Sequence, residues 1–228
     1  MKPEERLIVA LDVPSLNEVE RLVYELSDLC YFFKVGPGLF IKYGPKIIEF
    51  LKEKEKKVFL DLKLNDIPNT TSLAMEEIVS LGVDMTTVHI LGGKAMLEAV
   101  SLKKKNTIAL GVSVLTSLND DDLRMMGFSL GLKEIILNLA NLAKGYLNGI
   151  VCSPSEAGAV KDACGKDFFV VCPGIRLDDI QDDQKRKQTP DFAIKSGCDY
   201  IIVGRPIIKS SSPSDTAKRI IKMISQAS

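Results

Sequence analysis

Eight short runs of β-branched and apolar residues recur along the chain, each followed by a stretch with helical patterning, and this alternation restricts the possible folds more than any other feature. The predicted strands are Leu7–Asp12, Tyr31–Gly36, Val58–Leu62, Met85–His89, Thr107–Val114, Gly149–Cys152, Phe168–Cys172 and Tyr200–Gly204. Most are continuously apolar, as strands covered on both faces must be. The predicted helices between and after them are Ser15–Ser27, Gly38–Lys54, Thr70–Leu81, Lys94–Lys104, Leu132–Ala143, Ser155–Ala163, Pro190–Ser196 and Asp215–Ser225. Ser15 with Glu18 three residues on reads as a capping box. Repeated strand–helix units imply a parallel sheet. Eight of them in 228 residues fit a closed (β/α)8 TIM barrel, an α/β fold that commonly occupies about 250 residues. No linker divides the chain, so residues 1–228 are expected to form one catalytic domain. Two stretches look irregular, Ser117–Gly131 and the charged Gly174–Thr189; the second is long enough to be a functional loop on the catalytic face.

Lys plus Arg number 30 and Asp plus Glu number 30, so no basic footprint points to nucleic acid. Lys103, Lys104 and Lys105 read as a solvated helix end. No apolar run approaches the roughly 20 residues of a membrane span, and the start of the sequence lacks the pattern of a secretory leader. The five cysteines, Cys30, Cys152, Cys164, Cys172 and Cys198, are odd in number and never at C-x-x-C spacing. Neither a zinc site nor a disulfide framework is expected, and reduced thiols point to the cytoplasm.

Charged residues collect at predicted strand ends. Asp12 ends the first strand, Lys34 interrupts the apolar second, and Asp61 and Lys63 stand at the end of the third with Asp66 three residues on. Charge at such positions is costly unless paired. Asp61 and Lys63 are two apart, so an extended strand points them to the same face, where Asp12 and Lys34 from neighbouring strands can meet them. Such a network could serve only to fix the fold. Four charges at the rim where barrel enzymes do chemistry favour a catalytic role, with Lys63 as the best-placed general acid.

A second constellation suits phosphate. Pro173-Gly174-Ile175-Arg176 follows the seventh strand, and Val203-Gly204-Arg205-Pro206 closes the eighth. Loops after strands seven and eight often hold phosphate in this fold, and a guanidinium forks onto its oxygens. His89 is the single histidine and reads as structural. Gly92-Gly93 reads as a turn into a helix, and Asp120-Asp121-Asp122 as a solvated helix start. With no histidine cluster, no paired cysteine motif and no G-x-G-x-x-G, neither a metal nor an organic cofactor is expected.

The segment Asp61 to Thr70, Asp-Leu-Lys-Leu-Asn-Asp-Ile-Pro-Asn-Thr, resembles the D-x-K-x-x-D-I-P-N-T signature of orotidine 5′-phosphate decarboxylases of bacterial type. The likeness continues through Ala10–Val13, Lys34–Gly36, Val114–Ser117, Pro173–Arg176, Asp182-Asp183-Gln184-Lys185-Arg186 and Val203–Pro206, in family order over nearly the whole chain. Asn65 and Gly38 depart from the residues frequent at their positions, and neither is a charged catalytic position.

The resemblance implies cofactor-independent loss of carbon dioxide from orotidine 5′-monophosphate to give uridine 5′-monophosphate, the last step of UMP biosynthesis. It implies a cytoplasmic homodimer with shared active sites. Lys34, Asp61, Lys63 and Asp66 would form the charged network, with Asp66, Ile67 and Thr70 serving the partner's site. Asp12 and Lys34 would contact the ribose, and Thr116 would lie by the nucleotide. Arg176, Gln184, Gly204 and Arg205 would hold the phosphate, with Gly174–Thr189 as a lid. Two alternatives remain open: a Mg²⁺-dependent decarboxylase of keto-sugar phosphates on a related barrel, and a non-catalytic barrel that binds nucleotide phosphate.

Overall fold

Each strand pairs in parallel with the next, and the eighth returns to the first. In the computed structural model, residues 1–177 and 188–227 are described. The strands are β1 (Leu7–Ala10), β2 (Phe32–Val35), β3 (Lys57–Leu64), β4 (Met85–His89), β5 (Ile108–Val112), β6 (Gly149–Val151), β7 (Phe169–Cys172) and β8 (Tyr200–Val203), closed in that order into a barrel. The helices are α1 (Leu16–Glu25), α2 (Pro37–Tyr43), α3 (Lys46–Glu53), α4 (Pro68–Ser80), α5 (Gly93–Lys103), α6 (Asp120–Met125), α7 (Leu132–Ala143), α8 (Pro154–Cys164), α9 (Pro190–Lys195), α10 (Arg205–Ile208) and α11 (Pro213–Ala227). Short 3₁₀ turns cover Pro3–Arg6 and Ile90–Gly92. The (β/α)8 expectation holds.

Strand alternation sorts the apolar residues into two cores. Ile8, Ala10, Phe32, Phe59, Met85, Leu110, Val171 and Ile202 point inward and fill the barrel. Phe32, Phe169 and Tyr200 meet edge to face within that inner set. Their neighbours along each strand, such as Val9, Phe33 and Leu60, point outward and pack under the helices. The same alternation carries Lys34, Asp61 and Thr87 inward, each two residues beyond an inward aromatic or methionine. The register pairs Ala10 with Lys34 and Lys34 with Phe59. The charged residues therefore stand one layer above the apolar filling, which forms their floor.

Several boundaries differ from expectation for local reasons. The expected helix Gly38–Lys54 is two helices, α2 and α3. Gly44 turns the chain with φ 59° and ψ −146°, a conformation open mainly to glycine, and Pro45 follows. The stretch expected to be irregular, Ser117–Gly131, contains α6. Asn119 caps it, accepting from the Asp122 amide while Asp122 accepts from the Asn119 amide. Asp12, Gly36 and Gly204 lie just past their strands rather than in them.

The thiols also need correction. Cys172 and Cys198 are paired as a disulfide, with Cα atoms 6.2 Å apart, while Cys30, Cys152 and Cys164 are buried and outside any disulfide. The absence of C-x-x-C spacing excludes only a local partner. Here the link is tertiary: Cys172 aligns with Ile201 on β8, and Cys198 lies three residues before it. Both sulfurs sit in the layer between barrel and helices.

Candidate active site

A cavity of about 550 Å³ opens at the C-terminal ends of the strands. Ala10, Phe59, Val112, Val151 and Ile202 form its apolar base, and Asp12, Lys34, Asp61, Lys63, Thr116, Arg176, Gly204 and Arg205 stand around it. Eight of the residues singled out from the sequence thus face one space.

The acid and base groups form a chain across three strands. Lys34 Nζ lies 3.3 Å from Asp12 Oδ1 and 3.6 Å from Asp61 Oδ2. Lys63 Nζ is 2.9 Å from that same Asp61 oxygen. Asp61 and Lys34 are nearly buried, whereas the Lys63 side chain is 33% exposed and the Asp12 side chain 58% exposed, both towards the cavity. Burial alone would push the Asp61 carboxyl up. The charges of Lys34 and Lys63, with hydrogen bonds from Lys63 and Thr87, outweigh it and hold the carboxyl below its ordinary value. His89, on the next strand, is pushed down by burial and by the Lys63 charge, so it stays neutral near pH 7.

Lys63 does not reach Asp61 by the regular alternation expected from the sequence. The β3–β4 register shifts between Leu60 and Leu64, and Lys63 takes φ 53°. This irregularity puts the ammonium back over the carboxylate of Asp61. Gly36 keeps space open beside the network: an added Cβ would stand 3.3 Å from Asp12 Oδ1 and 3.4 Å from Lys34 Nζ. Gly204 brings the backbone after β8 close to Asp12, with 3.7 Å to Asp12 Oδ2 from an added Cβ.

Around the same cavity, Arg176 is buried and its guanidinium donates to the Ile175 carbonyl at 2.8 Å. Arg205 begins α10 directly after Gly204 and is half-buried. Lys209 also lines the cavity and was not singled out beforehand; it follows Arg205 by one helical turn, a spacing that could have shown it. Thr87, which contacts both Asp61 and Lys63, was missed as well.

Asp66, Ile67 and Thr70 do not line the cavity. They lie exposed in the turn into α4 and at its start, where Asp66 accepts from the Ile67 amide at 2.7 Å. Gln184, with the rest of Asp182–Arg186 and most of the expected lid, lies outside the described residues. Among the described residues, no three His, Cys, Asp or Glu side chains are grouped as a metal site, and no helix is long and apolar enough to cross a membrane.

Known proteins are similar to this chain over almost its full length. The model of the orotidine 5′-phosphate decarboxylase / HUMPS family matches residues 5–220. A relative from Carboxydothermus hydrogenoformans named orotidine 5′-phosphate decarboxylase is 46% identical, over 96% of this chain and 95% of its own. One of the same name from Wolbachia pipientis subsp. Culex pipiens is 44% identical, over 96% and 98%. The crystal structure of orotidine 5′-phosphate decarboxylase from Lactobacillus acidophilus is similar at a TM-score of 0.85 and 34% identity, covering 96% of this chain and 99% of that one. A family model matched over residues 5–220, together with relatives 44–46% identical over nearly the full length, leads to one assignment: the chain belongs to the orotidine 5′-phosphate decarboxylase / HUMPS family.

Proposed function

We propose that the protein decarboxylates orotidine 5′-monophosphate to uridine 5′-monophosphate and carbon dioxide, the last step of UMP biosynthesis, with residues 1–228 as one catalytic domain. The observation that carries this is the Asp12–Lys34–Asp61–Lys63 chain of charges around the same cavity as Arg176, Gly204 and Arg205.

The chemistry breaks the bond from C6 of the pyrimidine to its carboxylate and leaves the electron pair on a vinyl carbon. Lys63 stabilises that charge and then gives C6 a proton from its ammonium. Asp61 orients the Lys63 ammonium, and Lys34 and Asp12 bind the ribose hydroxyls. Arg176, Arg205, the Gly204 backbone and Gln184 hold the phosphate. Phosphate binding far from C6 supplies free energy for assembling the site. No group beyond the chain's own residues is required in these steps.

The protein works as a homodimer in which Asp66, Ile67 and Thr70 complete the partner's site. Support comes from their exposure outside their own cavity and from exposed Ile67, Leu73 and Leu91 beside the turn. The site of action is the cytoplasm, where a soluble nucleotide substrate is available. Purified, chelator-treated protein should consume orotidine 5′-monophosphate without added metal. Loss of activity in EDTA with recovery in Mg²⁺, or turnover of a keto-sugar phosphate in place of the nucleotide, would favour the sugar-phosphate alternative instead.

A further inference from the structure

Lys63 occupies a left-handed backbone conformation, φ 53°, that a long-chain L residue rarely adopts without support. A threonine hydroxyl supports it. The Lys63 amide donates to Thr87 Oγ1 at 2.9 Å, and Thr87 Oγ1 donates its own proton to Asp61 Oδ1 at 2.8 Å. The polarity of both bonds is fixed, because a backbone amide only donates and an ionised carboxylate only accepts. Thr87 is 1% exposed, so water has little access to replace it. With Oδ1 taken by Thr87, Oδ2 is the oxygen that faces Lys63 Nζ at 2.9 Å and Lys34 Nζ at 3.6 Å.

We infer that Thr87 is a positioning residue: its hydroxyl holds the strained backbone of Lys63 and the plane of the Asp61 carboxylate in one fixed relation, and so aims the ammonium at the reacting carbon. The inference rests on Lys63 being the proton donor. Among the described residues, the groups that face Asp61 are Lys34 from β2, Lys63 from β3 itself, and Thr87 and His89 from β4, with Asp12 acting through Lys34. None of the other four contacts both Asp61 and the Lys63 backbone. Errors of about an ångström in the placement of a reacting group can cost about a hundredfold in rate.

Thr86 supplies an internal control. It is fully buried one residue earlier on the same strand, and its hydroxyl donates to the Leu60 carbonyl at 2.9 Å. The experiment compares the parent with Thr87→Val, Thr87→Ser, Thr86→Val and Lys63→Ala. Thr87→Val should lower kcat about 10- to 100-fold. KM, and the Kd for uridine 5′-monophosphate, should stay within about threefold. Thr87→Ser should recover kcat to within about threefold of the parent, since it restores both hydrogen bonds. Thr86→Val should lower Tm but leave kcat within about threefold. The acid limb of the kcat profile should move to higher pH in Thr87→Val, because Asp61 loses a hydrogen bond that favours its charged form. A Thr87→Val kcat within threefold of the parent, or a serine variant no better than valine, overturns the inference while an inactive Lys63→Ala leaves the proton-donor assignment standing. An active Lys63→Ala overturns both. If Thr87→Val does not fold, Thr87→Ala is judged by the same limits.

Discussion

Lys63 Nζ lies 2.9 Å from Asp61 Oδ2, two positions back along its own strand. Lys34 approaches the same oxygen from β2, so one buried carboxylate serves two ammonium groups. Removing its charge takes this carboxylate from Lys63 and leaves Lys34 with the more exposed Asp12. Asp61→Asn should destabilise the protein by roughly 3 kcal/mol at neutral pH, the lower end for a broken buried pair, because the amide keeps some of the hydrogen bonds. The pH dependence follows from the lowered Asp61 value. Its contribution is complete above the ordinary carboxylate pKa and is lost as pH falls through the lower value in the folded protein. Thermal melts of parent and variant from neutral pH into acid should therefore converge. A gap that stays constant would mean that the lysines do not hold this carboxyl down.

Lys63→Ala should abolish turnover while binding of uridine 5′-monophosphate survives within about tenfold, because the lysine acts on the charge that develops at C6 and less on the ground state. Single-turnover assays and calorimetric titration separate the two effects. Activity within tenfold of the parent would remove Lys63 from its role.

Arg205→Ala should weaken capture of the nucleotide by about 2–5 kcal/mol in kcat/KM, the loss expected for a charge-assisted contact in a closed site. Orotidine without its phosphate should lose little. Equal losses on both substrates would show that Arg205 does not read phosphate.

The exposed turn at Asp66 makes a different kind of test possible. Asp66→Ala and Lys63→Ala homodimers should each be nearly inactive, but a mixed dimer has one site with both groups intact. Random mixing gives about half heterodimers, so roughly a quarter of all sites should work in a symmetric pair. The mutants are unfolded and refolded together, subunit exchange is verified, and the mixture is assayed. Activity no greater than the sum of the separate mutants would place Asp66 in its own subunit's site or outside the chemistry.

The barrel was legible because buried parallel strands are largely apolar, and that pattern survives in most runs from Leu7 to Val203. Asp12, Lys34, Asp61 and Lys63 stood out because charge is rare in such runs. The path from Lys63 to Asp61 was not legible: the bulge and the positive φ depend on the Thr87 hydroxyl across the sheet, and a threonine in a strand looks like an ordinary β-former. Cys172 and Cys198 meet only through the register of β7 against β8, which local spacing does not encode. The break at Gly44–Pro45 did carry a sequence signal, a Gly-Pro step inside an apparent helix, but the apolar periodicity on either side hid it.

Closure of β8 onto β1 also bears on how the protein comes to exist. Arg6, just ahead of β1, donates through Nε to the Asp199 carbonyl at 3.0 Å, across 193 residues of sequence. A contact of that separation demands a large loss of chain entropy before it returns any stability, so ring closure is expected to be slow. Gly204 and Arg205 follow β8 directly. The phosphate end of the cavity therefore reaches its place in the same event that seals the ring, whereas Lys34, Asp61 and Lys63 lie on β2 and β3, which are neighbours in sequence and pair directly. A nucleotide phosphate added during refolding has little to grip until the last strand docks. From then on it draws the equilibrium toward the closed barrel by mass action, so the substrate's most remote group is also the one that reports a finished fold.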